Sequence, residues 1–158
     1  MACARTAAQK NKHISETTAM KDSYFIEKET LAEGERLELS SLLASLNFNS
    51  DGLIPVITQD ADDKQVLMMA WMNADTLEKT LHTGLMTYWS RSRQAEWIKG
   101  KSSGHWQQLV SMRIDCDGDT ILCQVNQTGA ACHTGRRHCF YFKVSAEQQE
   151  VVINSGLS

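Results

Sequence analysis

Three short segments in the second half of the chain carry side chains suited to binding metal ions. Residues 115–119, 131–135 and 138–140 together hold three Asp, three Cys and two His. Carboxylates suit hard cations such as magnesium, whereas thiolates and imidazoles suit zinc. Because the ligands of one ion must converge in space, these segments constrain how the surrounding chain can fold. The pattern predicts a metal site.

The chain is long enough for one domain with a substantial core. It has 158 residues, of which 42% are apolar, and a net charge of −3. This charge argues against general attraction to nucleic acid or to an anionic membrane. The longest apolar run, residues 66–72, is far shorter than the roughly 20 residues that a membrane-spanning helix needs. With no secretory signal pattern, we expect a cytoplasmic protein whose five cysteines stay reduced and available to metal.

The N-terminal 34 residues differ from the rest of the chain. They are polar and almost free of apolar periodicity, which predicts a poorly ordered extension over residues 1–34 followed by one domain over residues 35–158. Leucines at helical spacing predict a helix over residues 35–47. A second helix is predicted over residues 75–82, with Asp75 and Glu78 as a capping box and Gly84 at its end.

Apolar, extended runs predict strands through the remainder of the domain. Residues 53–58 and 64–71 flank an acidic turn and predict a hairpin. Further strands are predicted over residues 86–90, 95–99, 107–115, 120–127 and 139–144. In residues 107–115 the alternation predicts that Val110, Met112 and Ile114 share a buried face. The expected fold class is α+β, a mostly antiparallel sheet domain with two or more helices.

The segment D-C-D-G-D lies where two predicted strands must turn, and Asp-Gly is a strong turn signal. On an extended backbone Asp115 and Asp117 point to one side and Cys116 to the other. One strand end could thus offer oxygen to a hard cation and sulfur to zinc, although an acidic turn with one buried cysteine is an equally plausible interpretation. The spacing excludes an EF-hand, since position 126 is Asn and not the closing Glu.

Six residues separate Cys132 from Cys139, so the two do not form a C-x-x-C knuckle. Each alone is more often a buried apolar residue than a ligand. With Cys116 they would make three thiolates and leave a fourth zinc position open, as catalytic zinc sites do. The alternative is that His133 or His138 closes the shell. Cys123, within a predicted strand, is interpreted as a core residue.

A basic and aromatic region over residues 88–106 precedes the segment D-C-D-G-D. Arginine, lysine and hydroxyl groups bind phosphate, and tryptophan rings can stack on a base. A solvated basic loop with core aromatics is the alternative, but the neighbouring metal ligands favour an anionic, nucleotide-like substrate. The candidate substrate contacts are Trp89, Ser90, Arg91, Arg93, Trp97, Lys99, Ser102, Ser103 and His105.

Five motifs in order resemble a known family. Y-W-S-R-S-R, W-I-K-G-K-S-S-G-H, D-C-D-G-D, G-A-A-C-H-T-G and C-F together are similar to phosphoribosyl-AMP cyclohydrolase of histidine biosynthesis, over about residues 53–142. The resemblance implies hydrolysis of the bond between N1 and C6 of the adenine ring in phosphoribosyl-AMP. It also implies an intertwined homodimer with the metal sites at the subunit interface, where Cys116 joins the other two cysteines.

The resemblance also implies the metal ligands. Zinc would be held by Cys116, Cys132 and Cys139, and magnesium by Asp115, Asp117 and Asp119. Ring opening needs a nucleophilic water, which zinc can activate, and a proton for N1. His133, beside Cys132, is the first candidate for that proton transfer and His105 the second.

A zinc-stabilised module that binds a nucleotide or RNA without catalysis is the competing hypothesis. An open coordination position on zinc would distinguish the enzyme from this module. The extension before residue 35 matches nothing in the family pattern. The pyrophosphohydrolase half that is fused in some relatives has no counterpart in this sequence, so we expect a monofunctional cyclohydrolase.

Overall fold

A computed structural model describes residues 23–156. In chain order its elements are α1 (residues 23–28), α2 (Leu39–Ala44), β1 (Ile54–Asp60), β2 (Val66–Met72), α3 (Ala74–Thr83), β3 (Thr87–Ser90), β4 (Ala95–Ile98), β5 (Gln107–Ile114), β6 (Ile121–Gln127), β7 (Phe142–Ser145) and β8 (Glu150–Ile153). The chain divides into two compact units, one with the described residues up to Asn47 plus residues 115–119, the other with the remainder. The predicted α+β class with mostly antiparallel strands is confirmed.

A four-stranded sheet in the order β2-β1-β6-β5 forms the centre of the larger unit. The predicted hairpin of β1 and β2 is confirmed, and β5 and β6 also pair antiparallel. Strands β1 and β6 pair in parallel, with Val56 beside Ile121. These two strands alternate buried and less buried residues because one face of the sheet lies on the core.

Helix α3 confirms the predicted helix, but its cap differs from the prediction. The N-cap is Asn73, whose side chain accepts a hydrogen bond from the Thr76 N–H while the Thr76 hydroxyl accepts one from the Asn73 N–H. Asp75 and Glu78 do not form the capping box, since the helix begins one residue earlier than the pattern suggested. Gly84 ends the helix at φ 71°, as expected.

The predicted buried face of β5 is wrong. The register of β5 against β6 shifts between Leu109 and Ser111, and Val110 is 52% exposed. A shift of this kind interrupts the alternation on which the prediction rested. The fully buried residue of β5 is Gln107, at its start.

Strands β7 and β8 form a separate antiparallel hairpin. The predicted strand over residues 139–144 begins at Phe142, because Cys139 lies in the preceding loop. Strand β8 was not predicted. Seven of the eight strand residues are exposed, so this hairpin is not part of the core.

The smaller unit contains α1, α2 and residues 115–119. Helix α2 is shorter than the predicted helix over residues 35–47. Asn47 binds this turn through its N–H to the Gly118 carbonyl at 2.8 Å and through Nδ2 to the Asp117 carbonyl at 2.6 Å. A Cβ on Gly118 would lie 2.1 Å from the ring of Phe25, so a glycine permits their close approach.

The predicted N-terminal extension falls only partly within the described residues. Residues 1–22 lie outside them, and residues 23–28 are helical. The proposed division at residue 34 stays a prediction. Over residues 23–156 the structure contains no helix long and apolar enough to cross a membrane.

Candidate functional site

The loop after β6 brings Cys132 and Cys139 together. The Ala131 N–H donates to the Arg137 carbonyl at 3.2 Å, and the Cys132 N–H donates to the Arg136 carbonyl at 3.1 Å. These two bonds fold the loop back on itself, and the two thiols share a hydrogen bond. Six intervening residues therefore place two sulfur ligands side by side.

The central sheet holds this ligand loop in place. The Cys139 N–H donates to the Leu67 carbonyl on β2 at 2.8 Å. Arg137 pairs with Asp63 at 2.5 Å and with Asp60 at 3.4 Å, both at the turn between β1 and β2. Backbone and side-chain contacts thus fix the loop to the first hairpin.

The pKa values of the two thiols are shifted in opposite directions. Burial acts to raise the pKa of Cys132, but hydrogen bonds from Thr134, the bond with Cys139 and the charge of Arg136 together lower it below the ordinary thiol value. Burial and the neighbouring Cys132 raise the pKa of Cys139 to about 11. The Cys132 thiol therefore loses its proton more readily than the Cys139 thiol.

A cavity of about 390 Å³ adjoins this pair. Its size lies within the range of about 300–1,000 Å³ that is usual for small-molecule sites. It is lined by Arg93, Trp97, Lys99, Gly100, Ser102, Ser103, His105, Cys132, His133 and Gly135. The cavity thus combines cationic, hydroxyl, imidazole and indole groups with one of the paired thiols.

Most of the predicted substrate contacts meet at this cavity, and three do not line it. Trp89 pairs with Glu96 across the β3–β4 hairpin, and Ser90 accepts a hydrogen bond from Arg93 at 3.2 Å. Arg91 lies 5.0 Å from the ring centre of Trp71. Ser90 can support the cavity through Arg93, whereas Arg91 stacks on a strand of the central sheet.

The candidate proton-transfer residues, His105 and His133, both line the cavity. His133 is exposed. His105 packs against Gly129, where an added Cβ would lie 2.7 Å from the imidazole ring. The absence of a side chain at Gly129 is therefore what lets the His105 ring occupy its position.

His138 lies elsewhere, and both of its ring nitrogens are buried without a hydrogen-bond partner. It lines a second cavity of about 210 Å³ together with Phe140 and Lys143. Within residues 23–156, neither His133 nor His138 completes a group of three metal ligands with Cys132 and Cys139. Whether a histidine is the fourth ligand stays a prediction.

A chain of buried polar groups lies behind the cavity wall. The hydroxyls of Thr58 and Tyr88 are 2.7 Å apart, and the Tyr88 hydroxyl donates to Gln107 Oε1 at 2.8 Å. Gln107 Nε2 then donates to Gln127 Oε1 at 2.7 Å. The Tyr88 ring packs against Trp97, with centroids 5.6 Å apart. Satisfied buried polar groups of this kind hold side chains in one arrangement, and here they support Trp97.

The acidic turn in the smaller unit gathers Asp115, Asp117 and Asp119. One oxygen from each carboxylate lies within 4.8 Å of the others, and all three residues are exposed. The Asp119 N–H donates to Asp115 Oδ1 at 3.0 Å, which holds the turn closed. Three converging carboxylate oxygens fit a hard divalent cation. Cys116 lies within the same turn and is also exposed.

Sequence reasoning missed two residues that act on the thiols. The Thr134 hydroxyl donates to Cys132 Sγ at 3.1 Å. A threonine two residues after a cysteine is a usable signal, because its hydroxyl can reach back along the chain. Arg136 acts through its charge, and only the folded loop reveals that.

Comparison with known proteins identifies relatives over most of the chain. The sequence model of a family described as phosphoribosyl-AMP cyclohydrolase matches residues 68–141. A protein named phosphoribosyl-AMP cyclohydrolase from Alkalilimnicola ehrlichii is 52% identical over 128 residues, which cover 81% of this chain and 90% of that protein. One of the same name from Paracoccus denitrificans is 59% identical over 110 residues, covering 70% and 90% respectively.

The hydrogen bond from Thr134 makes a testable prediction about Cys132. Replacing Thr134 with Val removes the hydroxyl donor, so the pKa of Cys132 should rise and less thiolate should be present at neutral pH. Thiolate absorbance of the metal-free protein, measured across a pH titration, reports this change. Thr128→Val, on the same loop, should leave the titration unchanged. An identical titration for Thr134→Val would contradict the assigned role of the hydroxyl.

Proposed function

Because the chain belongs to the phosphoribosyl-AMP cyclohydrolase family, we propose that it is the hydrolase that opens the adenine ring of phosphoribosyl-AMP between N1 and C6 in histidine biosynthesis. The carrying observation is the cavity that joins cationic, hydroxyl and indole groups to Cys132 of the thiol pair and to two histidines. Alkylation at N1 makes C6 of the ring electrophilic, so the reaction needs an activated water and a proton donor. The cavity and its thiol pair can serve both needs.

The cavity supports binding of a phosphorylated nucleotide. Arg93, Ser102 and Ser103 offer charged and hydroxyl donors for phosphate oxygens, and Trp97 offers a flat surface for the purine. Gly100 approaches the backbone of Trp106, where an added Cβ would lie 2.6 Å away. This contact closes the basic loop, residues 99–106, into a turn that contains Ser102 and Ser103.

The thiol pair supports a zinc site. Cys132 and Cys139 are adjacent thiols that share a hydrogen bond, and a metal ion can displace thiol protons when it binds. Two sulfur ligands are fewer than a zinc site needs, and the third is Cys116 of a second subunit in our proposal. Zinc, when bound, supplies a Lewis acid that lowers the pKa of water to about 7.

Proton transfer belongs to the histidines of the cavity. Opening of the ring leaves N1 in need of a proton once the bond to C6 breaks. His133 follows Cys132 directly and lines the cavity, so its imidazole is our choice for the general acid. His105 is the alternative.

The acidic turn supports a magnesium site. Asp115, Asp117 and Asp119 supply three oxygen ligands, and magnesium commonly keeps waters and binds phosphate oxygens as its remaining ligands. When bound, this ion would neutralise the charge of a phosphate group on the substrate.

The exposed hairpin of β7 and β8 supports a homodimer. An isolated two-stranded hairpin is marginally stable in water. Most of its apolar side chains face solvent in the single chain: Phe142, Val144, Val151, Val152 and Ile153. Phe140, on the adjoining loop beside Cys139, is 56% exposed. The register places Phe142, Val144, Val151 and Ile153 on one face of the hairpin. An exposed apolar face of this kind usually marks an interface, and in our proposal a second copy covers it.

The activity is tested with purified protein, phosphoribosyl-AMP and both metals. We expect ring opening, followed by its change in ultraviolet absorbance. Cys132→Ser should lose zinc and reduce turnover by about a thousandfold or more, since a hydroxyl is a far poorer zinc ligand than a thiolate. Cys123→Ala is the control and should keep both zinc and turnover. Cys123 is a buried thiol on β6, away from the proposed zinc ligands, and burial raises its pKa to about 12.

Two outcomes would contradict the proposal. Wild-type protein that binds the nucleotide without opening the ring would indicate a binding module in place of an enzyme. Cys132→Ser protein that keeps both zinc and full turnover would remove the thiol pair from the mechanism.

Because separate residues would bind zinc and magnesium in our proposal, Asp117→Asn should affect magnesium binding and not zinc binding. The amide removes one charge from the acidic turn but does not alter the thiols, so zinc content should stay constant. The magnesium concentration for half-maximal activity should rise by about tenfold or more. Asp62→Asn, in the acidic turn between β1 and β2, is the matched control and should change neither. Loss of zinc with an unchanged magnesium requirement would contradict the assignment.

A further inference from the structure

Lys99 is a buried lysine at the wall of the cavity. It follows β4 directly, and its side chain and backbone together are only 6% exposed. Its backbone N–H donates to the Met86 carbonyl at 3.0 Å. Its ammonium group donates to the Ala131 carbonyl at 2.8 Å. Lys99 therefore connects the basic loop to the residue that immediately precedes Cys132.

The charge of Lys99 needs compensation, because burying an ammonium group away from water is costly. In the described part of the chain no carboxylate lies within ion-pair distance of it. Burial lowers the pKa of Lys99, and the charges that oppose this effect come from Cys139 and Cys132. Each thiol, when it is ionised, therefore favours the charged form of Lys99.

The charge of Lys99 also stabilises the ionised form of Cys139. Burial raises the pKa of Cys139, and the charge of Lys99 acts in the opposite direction. Three thiolates around one divalent ion leave a net negative charge, so a fixed cation beside them stabilises the ligand set. A contact at the Ala131 carbonyl also restrains the backbone that carries Cys132.

We propose that Lys99 is a positioning residue for the thiol pair: its ammonium group holds the Ala131 carbonyl and offsets the negative charge of Cys132 and Cys139 when they bind zinc. This inference rests on the proposed zinc site. It differs from the expectation that Lys99 binds substrate, because its ammonium hydrogen bond goes to the ligand loop.

The test compares the zinc affinity of wild-type protein with that of Lys99→Met. Affinity is measured on the purified protein by competition with a chromogenic chelator, without substrate. The Met variant keeps the apolar length of the side chain but removes both the charge and the donor. We expect zinc binding to weaken by about 10- to 100-fold, the usual effect of losing a group that supports metal ligands. Lys101→Met, an exposed lysine two residues away, should retain wild-type affinity.

Kinetics at saturating zinc separate positioning from substrate binding. If Lys99 positions the thiols, excess zinc should restore much of kcat in Lys99→Met while KM stays close to the wild-type value. Lys99→Gln keeps a hydrogen-bond donor without the charge, and its zinc affinity should fall between those of the wild type and Lys99→Met. If the Met variant does not fold, the comparison of Lys99→Gln with the wild type decides the question.

Wild-type zinc affinity in the folded neutral variants, with a raised KM, would overturn the inference and make Lys99 a substrate contact. This result would leave the proposed hydrolase and its zinc site intact. Wild-type protein that binds no zinc would instead contradict the proposed zinc site itself. The two failures are therefore distinguishable.

Discussion

The pairing of Cys132 with Cys139 depends on two backbone hydrogen bonds within one loop. Ala131 and Cys132 bond to the carbonyls of Arg137 and Arg136, and these contacts convert a six-residue separation into adjacent sulfur atoms. The same loop is fixed to the central sheet through the Cys139 N–H. Without this folding the two thiols would not lie side by side, as they must if they are to bind one ion. The cavity would then lack a pair of adjacent thiols at its Cys132 side.

The cavity joins two parts of the sequence that serve different purposes. The β3–β4 hairpin and the turn after β4 supply arginine, serine and histidine groups that suit a phosphorylated substrate, and the loop after β6 supplies Cys132 and His133. Lys99 belongs to the first part and bonds to the second. The proposed binding groups and metal ligands are therefore held in a fixed relation, which a reaction at one carbon of a bound ring requires.

Features that depend on local sequence were predictable. The β1–β2 hairpin follows from apolar runs around an acidic turn, and α3 follows from its leucine spacing and Gly84. Features that depend on distant partners were not. The parallel pairing of β1 with β6 joins segments more than 60 residues apart, and the exposure of Val110 follows from a register shift that alternation cannot reveal. Likewise, motifs singled out Cys132 and Cys139 as candidates, and the Thr134 hydrogen bond is local enough to be expected from sequence. The contact of Lys99 with the Ala131 carbonyl joins segments 32 residues apart, so only the fold reveals it.

In our proposal the thiol pair of one subunit is completed by Cys116 of another. Mixing Cys116→Ser and Cys132→Ser proteins, each inactive alone, under conditions that exchange subunits tests it most directly. In a heterodimer one site would carry both substitutions and the other none, so about a quarter of all sites should regain activity and zinc in an equal mixture. Confirmed heterodimers with no recovered activity would contradict the shared site.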